Sequence, residues 1–249
     1  MPESIPQYAF LESELGKRSE RRQRRYLRPV EPLSSTEVIV DGRPRINFCS
    51  NDYLGLSRHP ALVERAIAFT KRYGAGATAS RLICGSLDCL HRVEEKLARL
   101  KETESALIFN SGFQANISLL PALADRHALI LSDRLSHRSI VEGALLARCP
   151  FLRFQHNDPD HLRTLLLRSR EKHYSRILIV TESVVRVDGD RSDLNALAAL
   201  AQEFRALLIV DEAHATGVLG PKGMGLACAQ PVDLALCTFG KALGSFGAA

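Results

Sequence analysis

Short apolar runs alternate with amphipathic stretches along most of the chain. Ala128 to Leu131, Ile177 to Val180, Leu207 to Val210 and Leu234 to Cys237 are each continuously apolar. Runs of this length, rich in Val, Ile and Leu, predict strands covered on both faces, as in a parallel sheet. Ala106 to Phe109 and Leu152 to Phe154 read as two further strands. Between the runs, helical spacing predicts helices over 113–123, 139–147, 159–172 and 194–204. Upstream, His59-Pro60 opens a helix through Tyr73, and Asp88 to Leu100 is amphipathic, with Leu90, Val93, Leu97 and Leu100 on one face. This alternation predicts an α/β fold with a mostly parallel sheet covered by helices. The first part of the chain differs. Ser4 to Leu27 reads as a polar, arginine-rich helix closed by Pro29 and Pro32. A hairpin follows: Glu37 to Val40, a turn at Asp41-Gly42, then Ile46 to Phe48. The expected organisation is an arm over 1–48 and an α/β domain over 49–249.

With 249 residues, 45% apolar and 24% charged, the chain has an ordinary globular balance and enough length for a real core. No apolar run approaches a membrane span. The first residues lack a basic start and an apolar core, so no secretory signal is read and a cytoplasmic location is expected. Six cysteines form no Cys-x-x-Cys pair, which predicts buried reduced thiols and no metal site. The net charge of +5 is concentrated in Lys17, Arg18, Arg21, Arg22, Arg24, Arg25 and Arg28. No nucleic-acid motif accompanies this cluster. It reads as a solvated helix face, or as an attractor for an anionic acyl carrier.

Polar residues recur just past the strand ends: Ser111, Asp133, Glu182, Asp211 and Thr238. Ligands of open parallel sheets bind outside the carboxyl ends of the strands, so these residues can converge. Lys241 follows the last strand, after Thr238-Phe-Gly240. Burial there would disfavour its ammonium form and free the amine for Schiff-base chemistry. Asp211-Glu-Ala-His214 also occurs in helicase-type ATPases. Those need Gly-x-x-x-x-Gly-Lys-Ser/Thr upstream, and no such string exists here. The alternative is a cofactor ring held among Asp211, His214 and Lys241. A carboxylate beside a pyridine nitrogen keeps it protonated, which is the electron sink of pyridoxal phosphate. Ser111-Gly112-Phe113 opens a helix whose N–H groups could hold the phosphate. Thr238 could add a hydroxyl, and His137 could lie on the ring.

At these residues the chain resembles the α-oxoamine synthase family of fold-type I pyridoxal-phosphate enzymes. The resemblance rests on Asn51-Asp-Tyr-Leu-Gly-Leu-Ser57, Ser80-Arg-Leu-Ile-Cys-Gly85, Ser111-Gly-Phe-Gln-Ala-Asn116, Asp133-Arg-Leu-Ser-His137, His156-Asn-Asp158, Asp188-Gly-Asp190, Asp211-Glu-Ala-His-Ala-Thr-Gly217 and Thr238-Phe-Gly-Lys-Ala-Leu-Gly244. It implies a cofactor bond to Lys241, Asp211 at the pyridine nitrogen, His214 at the ring hydroxyl and His137 stacked on the ring. Gly112 and Phe113 would hold the phosphate with Thr238 nearby. Asn51 would sit near an amino-acid carboxylate, and Arg25 would meet the acyl substrate. The implied reaction is decarboxylative condensation of L-alanine with pimeloyl-ACP or pimeloyl-CoA by a homodimer, as in biotin biosynthesis. Acyl transfer to glycine, and a non-catalytic remnant, are the alternatives. Two departures stand out. Arg186 occupies a position where the family has a serine. The chain also ends at Ala249, where family members continue into a C-terminal domain, so a truncated chain is expected.

Overall fold

The computed structural model describes residues 6–186 and 188–249, and it divides into two compact units, Met1–Phe48 and Cys49–Ala249. In the first unit a short 3-10 turn, Pro6–Tyr8, runs into α1 (Ala9–Glu20), which buries no residue. The helix ends well before Leu27. Arg22 takes a left-handed φ of 54°. Continuing the helix would stack Arg21, Arg24, Arg25 and Arg28 at spacings of three and four, where like charges repel. Ser4, at the start of the expected helix, lies outside the described residues. Three strands follow, β1 (Val30–Pro32), β2 (Glu37–Val40) and β3 (Arg43–Ile46), in an antiparallel sheet of that order. The second strand of the hairpin is Arg43–Ile46, not Ile46 to Phe48, and the sheet has a third strand that the two prolines had hidden. Proline is tolerated there because β1 is an edge.

The second unit begins with α2 (Pro60–Tyr73) and α3 (Asp88–Lys101). Then come α4 (Gly112–Leu123), β4 (Leu129–Asp133), α5 (Arg138–Leu146), β5 (Phe151–Phe154) and α6 (Pro159–Ser169). The unit closes with β6 (Ile177–Glu182), α7 (Leu194–Phe204), β7 (Leu207–Asp211) and β8 (Leu234–Leu236). The five strands form one wholly parallel sheet in the order β5-β4-β6-β7-β8. Alternate positions feed two cores. Leu129, Leu131, Ile179, Leu208 and Val210 pack with α6 and α7, while Ile130, Leu178, Val180 and Ile209 pack with α4 and α5. Both faces are therefore dry, which is why these strands read as unbroken apolar runs. Among the described residues no helix is long and apolar enough to cross a membrane.

Three expectations need correction. Ala106 to Phe109 is not a strand: Phe109 alone pairs, as an isolated bridge with Ala248. No disulfide joins the six cysteines, but only Cys237 is fully buried, and Cys49 and Cys84 are exposed. The inward face of α3 is not Leu90, Val93, Leu97 and Leu100. It is Glu94, Leu97, Ala98 and Lys101, with Val93 41% exposed. The two buried charges turn the helix because both are partnered. Glu94 receives Arg81 at 2.5 and 2.9 Å and the Ile108 N–H at 2.8 Å. Lys101 Nζ reaches the Met224 carbonyl at 2.7 Å, Thr216 Oγ1 at 3.2 Å and Glu212 Oε2 at 3.3 Å.

Glu212 is fully buried, and its other oxygen accepts the Ala227 N–H at 2.8 Å. Removing one member of a buried pair strands the other charge, which costs about 3–5 kcal/mol. Lys101→Met is expected to lose stability on that scale in urea unfolding, and Lys101→Met with Glu212→Leu to recover much of it. A loss below about 1 kcal/mol for the single substitution would show that the pair is not desolvated.

Candidate active site

Strand order reverses its progress between β4 and β6, since β5 lies on one side of β4 and the later strands on the other. In such sheets the crevice at the reversal is the ligand-binding position. The chain spans it with a hydrogen bond: the His137 N–H, just past β4, donates to Glu182 Oε1, at the end of β6, at 2.6 Å. A cleft of about 610 Å³ opens here, lined among others by Asn51, His137, Arg186, His214 and Lys241.

Lys241 Nζ lies 2.8 Å from His214 Nε2. Burial lowers the lysine pKa, Asp211 and Glu182 pull it back up, and Arg186 adds a downward push. An amine donates here, so Nε2 must accept, and the imidazole proton rests on Nδ1. That nitrogen is 2.7 Å from the Tyr53 hydroxyl, which is 3.2 Å from Asn51 Oδ1. The neutral state of His214 fits its pKa of about 4, lowered by burial and then by Lys241, His137 and Arg186.

Asp211 ends β7 and is 6% exposed. Its Oδ1 accepts the Ala213 N–H and its Oδ2 the Asn116 side chain, both at 2.9 Å. Asn116 also donates to Ser139 Oγ at 3.0 Å, and Ser139 Oγ lies 2.7 Å from His137 Nδ1. The Ser139 N–H reaches the same nitrogen at 3.2 Å. Nδ1 is thus an acceptor, and the His137 proton sits on Nε2. Burial, then Arg186, lower the His137 pKa in the same sense. This network needs α4 and α5 in close approach. A Cβ on Gly143 would stand 2.5 Å from the Asn116 carbonyl oxygen, so glycine is what lets the helices meet.

Ser111 caps α4 through the Gln114 N–H. Gly112, the first helical residue, faces Thr238: a Cβ there would come within 2.6 Å of the threonine methyl carbon. Thr238 Oγ1 is buried without a partner among the described residues. A buried hydroxyl left open beside a helix N-terminus fits an anionic group such as a phosphate.

The sequence model of the family described as aminotransferase class I and II matches residues 43–249. The chain belongs to the aminotransferase class I and II family. A protein of Desulfosudis oleivorans, provisionally named as an 8-amino-7-oxononanoate synthase, is 60% identical over 239 residues, covering 96% of this chain and 62% of its own. The 8-amino-7-oxononanoate synthase of Geotalea daltonii is 50% identical over 228 residues, covering 90% of this chain and 58% of its own. This chain thus spans about three fifths of the length of the curated relatives it matches. A serine palmitoyltransferase variant from S. paucimobilis, solved with a bound PLP–myriocin aldimine, superposes with a TM-score of 0.88. It is 26% identical, and the match covers 99% of this chain and 65% of that one.

Within this family member the cleft gathers Asn51, His137, His214 and Lys241; Asp211 acts electrostatically on His137 and Lys241, and Gly112 and Phe113 open α4, with Thr238 facing Gly112. Arg25 belongs to the first unit, where it lines a cleft with Arg18, Arg22 and Arg24. Arg186 does line the main cleft, exposed at its edge. Asn116, Ser139 and Tyr53 were missed as site residues, although the quoted motifs contain Asn116 and Tyr53. Their roles depend on tertiary contacts that spacing alone does not reveal. Glu212, adjacent to Asp211, turns away to Lys101, which accounts for the acidic pair without ATPase chemistry.

Glu182 was singled out only as a strand-end residue, yet it is 3% exposed and its pKa rises to about 7. Burial is the main cause, followed by the neighbouring Asp211. A raised carboxyl pKa gives stability that is full below the unfolded value of 4.5 and lost as pH climbs through about 7. Glu182→Gln keeps the acceptor for His137 and removes the titration. It is expected to gain roughly 2–3 kcal/mol over the native chain at pH 8 and little at pH 4.5. Parallel stability profiles for the two proteins would contradict this assignment.

Proposed function

We propose that this chain carries the cofactor site of an acyltransferase that joins an amino acid to an acyl thioester with loss of carbon dioxide. The cofactor is pyridoxal phosphate. The observation that carries the proposal is the lysine amine of Lys241, partly buried and hydrogen-bonded to a neutral His214, beside an Asp211 fixed by two donors. The finer reading, L-alanine and a pimeloyl thioester giving 8-amino-7-oxononanoate, is supported by the names of the relatives and by the motif strings.

When bound, pyridoxal phosphate supplies an aldehyde and a protonated ring that takes up an electron pair from the substrate α-carbon. The residues divide the remaining work. Asp211, oriented by the Asn116 and Ala213 donors, would hold a proton at the ring nitrogen. Lys241 would provide the amine that attaches the cofactor and would later accept the α-proton, a role its lowered pKa suits. His214 would donate or accept at the ring hydroxyl, and neutral His137 would offer its face to the ring. Gly112, Phe113 and Thr238 would hold the phosphate. Asn51 would orient the amino-acid carboxylate, and Arg25 would meet the acyl carrier. Homodimer formation and a cytoplasmic location belong to the same proposal. Leu82, Ile83 and Phe246, all at least 80% exposed, are apolar surface that such an assembly could cover.

The test is a titration with pyridoxal phosphate, borohydride reduction and peptide mapping. The label is expected on Lys241 and absent from Lys241→Ala, while Asp211→Asn should still label but with weaker cofactor retention. A label on another lysine would overturn the proposal.

A further inference from the structure

The loop between β6 and α7 forms one wall of the cleft through Val184, Val185, Arg186 and Gly189. Much of its backbone bonding is internal. Val184 bridges Arg191, the Val185 N–H donates to the Asp190 carbonyl, and the Gly189 N–H donates to the Val185 carbonyl. Ser192 anchors the base, its Oγ donating to the Glu182 carbonyl at 2.7 Å. These bonds fold the loop on itself, and Asp190 and Arg191, on its returning side, are also fastened from outside.

The fastening comes from the turn after β5. His156 Nε2 lies 2.7 Å from Asp190 Oδ2. Asn157 Nδ2 donates to the same oxygen at 2.9 Å and to the Arg191 carbonyl at 3.0 Å. On the other side of the ring, His156 Nδ1 lies 2.9 and 3.1 Å from the two oxygens of Asp133. Asp133 is 2% exposed, and the Leu135 and Asn157 N–H groups hold it at 2.8 and 3.0 Å. Asn157 has a left-handed φ of 51°, at the turn that delivers both its N–H and its side chain to this cluster.

We propose that His156 is a positioning residue of the cleft: as an imidazolium bonded to Asp133 and Asp190, it staples the β6–α7 loop to the end of β4. A carboxylate accepts only, so each ring nitrogen must donate and the ring must carry both protons. Burial works against that charge, but the hydrogen bonds to Asp133 and Asp190 outweigh it and raise the pKa. The charged groups that face the ring are Asp133, from β4, and Asp190, from the loop. Nearby, Asp158 turns to the His161 N–H, the His161 ring accepts the Gln155 N–H, and Arg134 bonds the Gln155 side chain. Asp190 Oδ1 is buried and unpartnered among the described residues, so the carboxylate depends on the bonds to its other oxygen.

This role builds on reading the cleft as a ligand site, but its test needs no cofactor. The raised pKa keeps the ring charged to higher pH than an ordinary imidazole, so the staple weakens as pH climbs past the His156 value. Amide hydrogen exchange reads the opening directly at Val185 and Gly189. In His156→Gln at pH 7 both amides are expected to exchange about tenfold faster, with Ile179 and Val180 of β6 unchanged. In the native chain the same excess, corrected for intrinsic exchange, should appear with rising pH, and it should be absent from the variant's profile. Asp190→Asn should give a smaller acceleration, and it carries the comparison if His156→Gln does not fold. Unchanged exchange at Val185 and Gly189, equal acceleration throughout β6, or identical pH profiles would each overturn the assignment. Failure to bind pyridoxal phosphate would strike the proposed function and leave this one standing.

Discussion

Two carboxylates stand side by side at the ends of adjacent strands, with Glu182 in register with Asp211. Both are nearly buried, and two like charges cannot share a desolvated space at no cost. The fold resolves the conflict by distributing donors unequally. Asp211 receives a side-chain amide and a backbone N–H, while Glu182 receives one backbone N–H. Glu182 takes up the strain as a carboxyl pKa raised to about 7. Much of the surrounding structure serves this asymmetry. Asn116 reaches Asp211 because α4 and α5 approach over Gly143, and that approach also brings Ser139 to His137.

The same economy of charge explains what could be read in advance. The parallel strands were legible because burial on both faces leaves unbroken apolar runs, and Leu207 to Val210 or Ile177 to Val180 have no other reading. Helices with proline at their start or an Asp cap, such as α2, α6 and α7, were legible within a few residues of their ends. The face of α3 was not, since a hydrophobic stripe cannot anticipate that Glu94 and Lys101 are buried by virtue of partners far along the chain. Ala106 to Phe109 has strand composition, but pairing is a tertiary event, and only Ala248 meets it.

The candidate site divides along the same line. Lys241, Asp211, His214 and His137 lie at or just past strand ends, so topology alone predicts that they converge. Asn116, Ser139 and Tyr53 act by orienting those residues, and nothing local distinguishes such a residue from a helix or turn residue. Arg186 shows the limit from the other side. Its presence is plain in the sequence, but its influence is a field effect on His137, His214 and Lys241 that only their shared cleft makes visible.

The hydrogen bonds also have a direction. From Lys241 they run through His214 and Tyr53 to Asn51 Oδ1, each group donating to the next. From Asn116 they run outward to Asp211 and through Ser139 to His137. A lysine ammonium and a primary amide nitrogen only donate, which sets the direction of both chains. The first chain leaves the Asn51 amide N–H groups without a hydrogen-bond acceptor among the described residues, and the second leaves the proton on His137 Nε2. The cleft therefore offers several donors and the Lys241 amine, with the Asp211 and Glu182 carboxyls acting on that amine. A ligand complementary to it has many acceptor oxygens, a group able to react with an amine, and one basic nitrogen to set against a carboxyl. Those are the attributes of a phosphorylated pyridine aldehyde, and they follow from the direction of the bonds as much as from the identity of the residues.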